Sequence, residues 1–166
     1  GPPQEAGRLY LRGVAFDQYD GKAWTNRLNY RRAVSEDAAG TFVLRSSRSL
    51  ATPRLGDTIR QNILLEPLDT PVLFAAPFIE RVSGKFPSVQ SDLTGSVYLP
   101  FPSSSRIEYS VLSRSNPVLP EDLGAEPSVY PESVIRHFLQ IPSQPERIAV
   151  LAKEITHTQR TIYDKA

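Results

Sequence analysis

Chemistry in this chain would have to come from side chains such as serine, histidine, aspartate and arginine, and not from a thiol, because it contains no cysteine. That absence removes thiol nucleophiles, disulfides and thiolate metal sites together, and it is neutral about compartment. A serine triad lacks its setting, since no Gly-x-Ser-x-Gly elbow occurs. The two histidines, His137 and His157, fall in helical contexts: His137 stands between Arg136 and Phe138 in a short amphipathic element, and His157 closes a helix, where an imidazole suits the negative end of the dipole. A metal held by this pair would need a third ligand that no local spacing supplies. Asp17 and Asp20 are separated by Gln18 and Tyr19, so they lack the alternation of a calcium loop. They read instead as turn carboxylates bonding to backbone amides. No catalytic residue, cofactor site or metal ligand is expected.

The best candidate for a binding patch is Arg27, Arg31 and Arg32 around Tyr30, since arginine beside an exposed aromatic can grip nucleic acid or an anionic polymer. Glu36 and Asp37 follow closely, and a solvated loop of mixed charge explains the same residues. Over the 166 residues, 19 Lys plus Arg stand against 18 Asp plus Glu, for a net charge of +1. No field favours a polyanion or an anionic membrane, so nucleic acid is not expected as a partner. No run approaches the roughly 18 apolar residues of a membrane span, and the chain is expected to be soluble as it stands. Methionine is absent and Gly1-Pro2 resembles a protease scar, so an excised piece of a longer protein is expected.

The apolar period decides what must position these residues. From 57 to 66 it is two: Ile59, Gln61, Ile63 and Leu65 share one face, and Thr58, Arg60 and Asn62 the other. From 105 to 113 Ile107, Tyr109 and Val111 point inward in the same way, so both segments are strands with one wet face. Shorter strands are expected at 8–16, 41–45, 72–75, 78–82 and 96–99, between Gly, Pro, Asn or Ser clusters. Many short strands imply a mainly β fold, an antiparallel sandwich or barrel-like domain over 1–116. Four prolines between 117 and 131 then read as a connector.

Beyond it the period becomes helical. Val134, Ile135, Phe138 and Leu139 make a short element ended by Pro142. Ser143 is placed to cap a second helix whose stripe is Ile148, Leu151, Ala152 and Ile155. A further helix starts at Thr161 and is cut off after one turn, leaving an apolar face around Ile155, Ile162 and Tyr163 expected to make the isolated chain self-associate.

Between Leu9 and Trp24 the sequence LYLRGVAFDQYDGKAW crowds in Tyr10, Phe16, Tyr19 and the only tryptophan, and Asp20-Gly21 is a strong hairpin signal. The residues alone predict a hairpin whose Phe16 and Trp24 fill the core of the β-domain.

The pattern Tyr10, Arg12, Gly13, Phe16, Asp17, Tyr19, Asp20, Gly21 and Trp24 resembles bacterial membrane-anchored transglutaminase-like proteins of the TgpA type. The resemblance continues through LLEPLDTPVLFA at 64–75, EYSVLSRSNP at 108–117 and FLQIPSQPERIAVLAKEITHTQRTIYDKA at 138–166. It implies the region preceding the catalytic core: an extracytoplasmic segment following membrane helices, with a papain-like Cys, His and Asp triad farther downstream. None of that triad is in the chain, and 132–166 would be the start of the truncated core. The function this implies is that of a non-catalytic accessory domain placing the core or its substrate, with that core and the flanking membrane helices as its partners. The alternative is a β-sandwich module gripping cell-wall glycan or a partner protein through loops, in a groove lined by Tyr30 and Tyr98.

Overall fold

The computed structural model describes residues 10–38, 40–44, 58–114 and 130–165. In chain order its strands are β1 (Gln18–Tyr19), β2 (Trp24–Thr25), β3 (Arg32–Ala33), β4 (Glu36–Ala38), β5 (Thr41–Val43), β6 (Thr58–Leu65), β7 (Val72–Leu73), β8 (Ile79–Gly84), β9 (Gln90–Ser91), β10 (Val97–Tyr98) and β11 (Ile107–Arg114). The helices are α1 (Glu132–Phe138), α2 (Glu146–Thr156) and α3 (Ile162–Lys165). The segment expected to hold most of the proline connector lies outside the described residues.

Strict alternation produces the two longest strands. β6 and β11 pair antiparallel from Ile107↔Leu65 to Arg114↔Thr58. Thr58, Arg60, Asn62 and Leu64 of β6 face water while Ile59, Gln61, Ile63 and Leu65 turn inward, as the period requires. They belong to a five-stranded sheet of order β4-β5-β8-β11-β6; a four-stranded sheet has the order β3-β9-β10-β7. Phe42, Val82, Tyr109 and Val111 of the first sheet share one buried cluster with Leu73 and Val97 of the second and with Val89 and Leu99 beside it. Every pairing is antiparallel, and the architecture is a sandwich; among the described residues neither sheet closes into a barrel.

Gln61, the polar member of an inward face, is explained by a closed ring of hydrogen bonds. Its Oε1 accepts from the Ala76 amide at 2.7 Å and its Nε2 donates to Ser113 Oγ at 3.1 Å, while Ser113 Oγ donates to the Ala76 carbonyl at 2.9 Å. Each buried group has a partner, so the ring costs little and knots β6 and β11 to the segment leading into β8. Next to it Phe78 holds a φ of +58°, a conformation that a bulky residue keeps only when its surroundings impose it. Its carbonyl accepts from the Arg114 amide at 3.0 Å.

The chain divides into two units. One comprises Gly1–Ala15 and Leu28–Asn116, the other Phe16–Arg27 and Pro117–Ala166. The first contains both sheets. The second contains the ribbon β1–β2 and the three helices.

Three expectations are corrected. Within 10–16 no strand forms: Arg12 makes a single bridge to Ala75, through bonds of 2.7 and 3.2 Å. Beside the bridge, Gly13 lies against Phe74, where a Cβ would meet ring carbon Cε1 at 2.7 Å. Phe16 and Trp24 do not fill the sandwich core but are 54% and 61% exposed, since their segment belongs to the other unit. Ser143 does not cap α2; Pro145 is its N-cap and the Ile148 amide bonds to the Pro145 carbonyl at 2.9 Å. The missing N–H of a proline costs nothing at a helix start, so no side-chain cap is needed there.

Candidate docking surface on the hairpin and helices

The ribbon forms where Asp20-Gly21 reverses the chain. Asp20 Oδ1 accepts from the amides of Lys22 at 2.8 Å and Ala23 at 2.7 Å, and Gly21 takes φ +99°. The amide bonds from Ala23 and then Lys22 hold the Asp20 carboxyl below its ordinary value. Tyr19 and Trp24, directly opposite in register, stack with centroids 5.1 Å apart at 32°. Trp24 thus rests on a partner of its own ribbon while most of its surface stays exposed.

Asp17 is the buried anchor of this unit, at 5% exposure. Its Oδ1 accepts the Arg27 amide at 2.6 Å and its Oδ2 lies 3.5 Å from Arg27 Nε. The second contact is an ion pair without hydrogen-bond geometry, so Oδ2 has no directional partner. Arg27 Nη2 donates to Gln140 Oε1 at 3.0 Å, and Gly21 faces Pro142, whose Cγ a Cβ would meet at 3.9 Å. Arg27 therefore joins the start of the ribbon to the segment between α1 and α2.

Those helices present apolar side chains outward. Ile135, Phe138, Leu139 and Ile141 are exposed around α1, as are Ile148, Leu151 and Ile155 along the α2 stripe. Among the described residues of this unit, Asp17 alone is buried. The side chains of Ile162 and Tyr163 lie outside the described residues. α3 opens on a local cap in which Thr161 Oγ1 accepts the Asp164 amide at 3.0 Å and donates to Asp164 Oδ2 at 2.7 Å. His157 at the end of α2 meets the Glu154 carbonyl through Nδ1 at 2.7 Å, and His137 is half-buried on α1. Among the described residues no three His, Asp or Glu side chains gather as a metal site would need.

The four residues of the arginine patch fall in two units. Arg27 belongs to the hairpin unit and is engaged with Asp17 and Gln140. Tyr30, Arg31 and Arg32 belong to the β unit, where Arg32 lies 5.9 Å from the Tyr30 ring centroid and Arg31 only 4.0 Å from that of Tyr98. Tyr98 does not line an open groove with Tyr30: it is 3% exposed and its hydroxyl donates to Asp92 Oδ2 at 2.7 Å. Burial, followed by the Asp92 hydrogen bond, raises the Tyr98 pKa. The other Asp92 oxygen accepts the amides of Thr94 at 2.8 Å and Ser96 at 3.1 Å, closing the β9–β10 turn. This network went unread in the sequence, although Asp-x-Thr-Gly is a recognisable turn signal. Gln140 carried no such signal.

Residues 2–120 match the family model described as the TgpA N-terminal domain. The chain belongs to that family. Its fold is similar to the crystal structure of the periplasmic domain of TgpA from Pseudomonas aeruginosa, at 19% identity and a TM-score of 0.53 over 91% of this chain and 44% of that one. It is similar also to the same domain bound to ethylmercury, at 16% identity and a TM-score of 0.56 over 95% of this chain and 47% of that one. This chain thus spans less than half the length of those structures. No curated protein matches it.

Proposed function

We propose that the chain is a non-catalytic accessory domain of an extracytoplasmic, membrane-anchored transglutaminase-like protein, and that its hairpin and helices form the surface on which the rest of that protein docks. The observation that carries this reading is the hairpin unit itself, where Trp24, Phe138, Leu151 and Ile155 are exposed and Asp17 is the one buried residue among those described. A layer with an apolar stripe and no second layer is stable only when another surface covers it. Exposed aromatic side chains are also enriched among interface anchors. Membership of the TgpA N-terminal family and the periplasmic source of the similar structures support the extracytoplasmic location. Catalysis would reside in the part beyond this chain, since the family triad needs a cysteine that the chain lacks.

Hydrogen exchange compared between this chain and its complete parent polypeptide tests the reading. Amides at 18–25 and 146–156 are expected to exchange more slowly in the parent, while those of β6 and β11 stay unchanged. Equal exchange at 18–25 and 146–156 would overturn it. In the isolated chain the same face should drive weak self-association, which Ile155→Glu would abolish in light scattering.

A further inference from the structure

β6 lies at one edge of the five-stranded sheet. The direction of its backbone groups follows from its neighbours. The Gly84 amide bonds to the Gly40 carbonyl and the Leu44 amide to the Glu80 carbonyl, so Glu80, Val82 and Gly84 of β8 turn their backbone groups toward β5. Arg81 and Ser83 therefore turn theirs toward β11, where they stand opposite Leu112 and Ser110. The alternate residues of β11, Ile107, Tyr109, Val111 and Ser113, then bond to Leu65, Ile63, Gln61 and Ile59 of β6. That leaves the amides and carbonyls of Thr58, Arg60, Asn62 and Leu64 pointing away from the sheet. Among the described residues none of them has a backbone partner.

The other edges are guarded. β4 is three residues long and its pairing with β5 shifts register between Glu36 and Ala38, while β3 and β7, the edges of the four-stranded sheet, have two residues each. Short or bulged strands make poor templates for another chain. β6 makes a good one: its eight residues pair with β11 without a shift and include no proline, glycine or lysine. Its inner face is also unfinished. Ile59, Ile63 and Leu65 turn toward the core yet stay half-buried, whereas Tyr109 and Val111 on the next strand are buried. A strand added beside β6 covers that open flank.

We infer that this edge is an interface between two copies of the chain, in which β6 of one protomer pairs antiparallel with β6 of its partner across a two-fold axis at Gln61. Symmetry dictates the register. Residues with outward backbone groups must meet one another, and one two-fold register engages all of them: Arg60 opposite the partner's Asn62, and Thr58 opposite the partner's Leu64, each pair exchanging two main-chain hydrogen bonds. Charge favours the same register. Arg60, the only charge in β6, faces an amide side chain that can accept from it, whereas a slip along the strand would set it against the partner's Arg60. On the inner face Ile59 falls opposite the partner's Ile63, so the half-buried side chains meet. A two-fold pair uses up both β6 edges and stops at the dimer, leaving only the guarded β4 edges outside.

Sedimentation equilibrium and hydrogen exchange test this on the chain carrying Ile155→Glu, which removes association through the α2 face. A monomer–dimer equilibrium is expected. As concentration rises, the amides of Thr58, Arg60, Asn62 and Leu64 should exchange more slowly while that of Val82 does not change. Asn62 is exposed, so its replacement leaves the fold in place, as circular dichroism would check. Asn62→Glu sets a carboxylate against the partner's Arg60 on both sides of the axis and should tighten the dimer roughly threefold to tenfold; Asn62→Lys sets like charges there and should loosen it as much. A chain that stays monomeric at millimolar concentration in every form, or equal affinity for Asn62→Glu and Asn62→Lys, would overturn the inference. So would exchange at these amides that ignores concentration but slows in the parent polypeptide, because another segment of the parent would then hold the edge.

Discussion

The β unit and the hairpin unit use similar apolar residues in opposite ways. In the first, Val82, Val89 and Val97 are fully buried and Leu73 and Val111 nearly so, because two sheets face each other and each supplies what the other covers. In the second, Leu151 and Ile155 repeat at helical spacing, yet they are 54% and 66% exposed. An amphipathic stripe specifies a face, and only a second layer turns that face into a core. The difference teaches that the hairpin unit is organised by polar contacts, Asp17 to Arg27 to Gln140, where the β unit is organised by packing.

The sharpest way to break this comparison is to cut side chains in both units. Leu73→Ala should cost about 2–5 kcal/mol in denaturant unfolding, since it leaves a cavity in a packed core. Leu151→Ala should stay within about 0.5 kcal/mol, as exposed substitutions do. Similar losses at the two positions would mean that the α2 face is already covered in this chain.

Asp17→Ala comes next, with an expected local loss of about 1–3 kcal/mol because the Arg27 amide loses its acceptor. Hydrogen exchange should accelerate across 17–27 and leave β8 and β11 unchanged. Acceleration in both places would make the two units one cooperative body.

The mildest effect concerns alkaline pH. Burial pushes the Tyr109 hydroxyl up to about 12, and the hydroxyl donates to the Phe74 carbonyl at 2.9 Å and accepts the Phe74 amide at 3.0 Å. The folded chain therefore holds this proton more tightly than the unfolded one. The resulting stability is complete below a pH of about 10, the ordinary tyrosine value, and is lost as the pH rises toward 12. Denaturant midpoints recorded across that window should fall, and Tyr109→Phe should fall less steeply. A variant as steep as the original would place the alkaline sensitivity elsewhere, Tyr98 being the next candidate because its pKa is raised too.

Much of the sandwich was legible because period-two alternation is a local property. It located β6 and β11 within a residue or two and predicted their inward faces, the polar Gln61 included. Strands of two residues, such as β3 and β9, leave no period to read and exist only because a neighbour pairs with them. The candidate surface was legible in part. The Asp20-Gly21 turn was read correctly, while the exposure of Trp24 was missed, since aromatic density signals burial or an interface with equal force. The arginine cluster is continuous in the sequence, and the structure assigns Arg27 and Arg31 to different units.

By itself the sequence determined the β-then-α order, the alternating faces of the long strands, the hairpin turn, the lack of a thiol and the family motif, all of which depend on residues near one another in the chain. Only the tertiary structure decided that 16–27 belongs with the helices, that Arg27 meets Gln140, and that β6 takes an edge of its sheet. Each of these rests on a register or contact between distant segments. Such pairings are selected by the packing and hydrogen bonding of the whole fold, and local propensity cannot specify them.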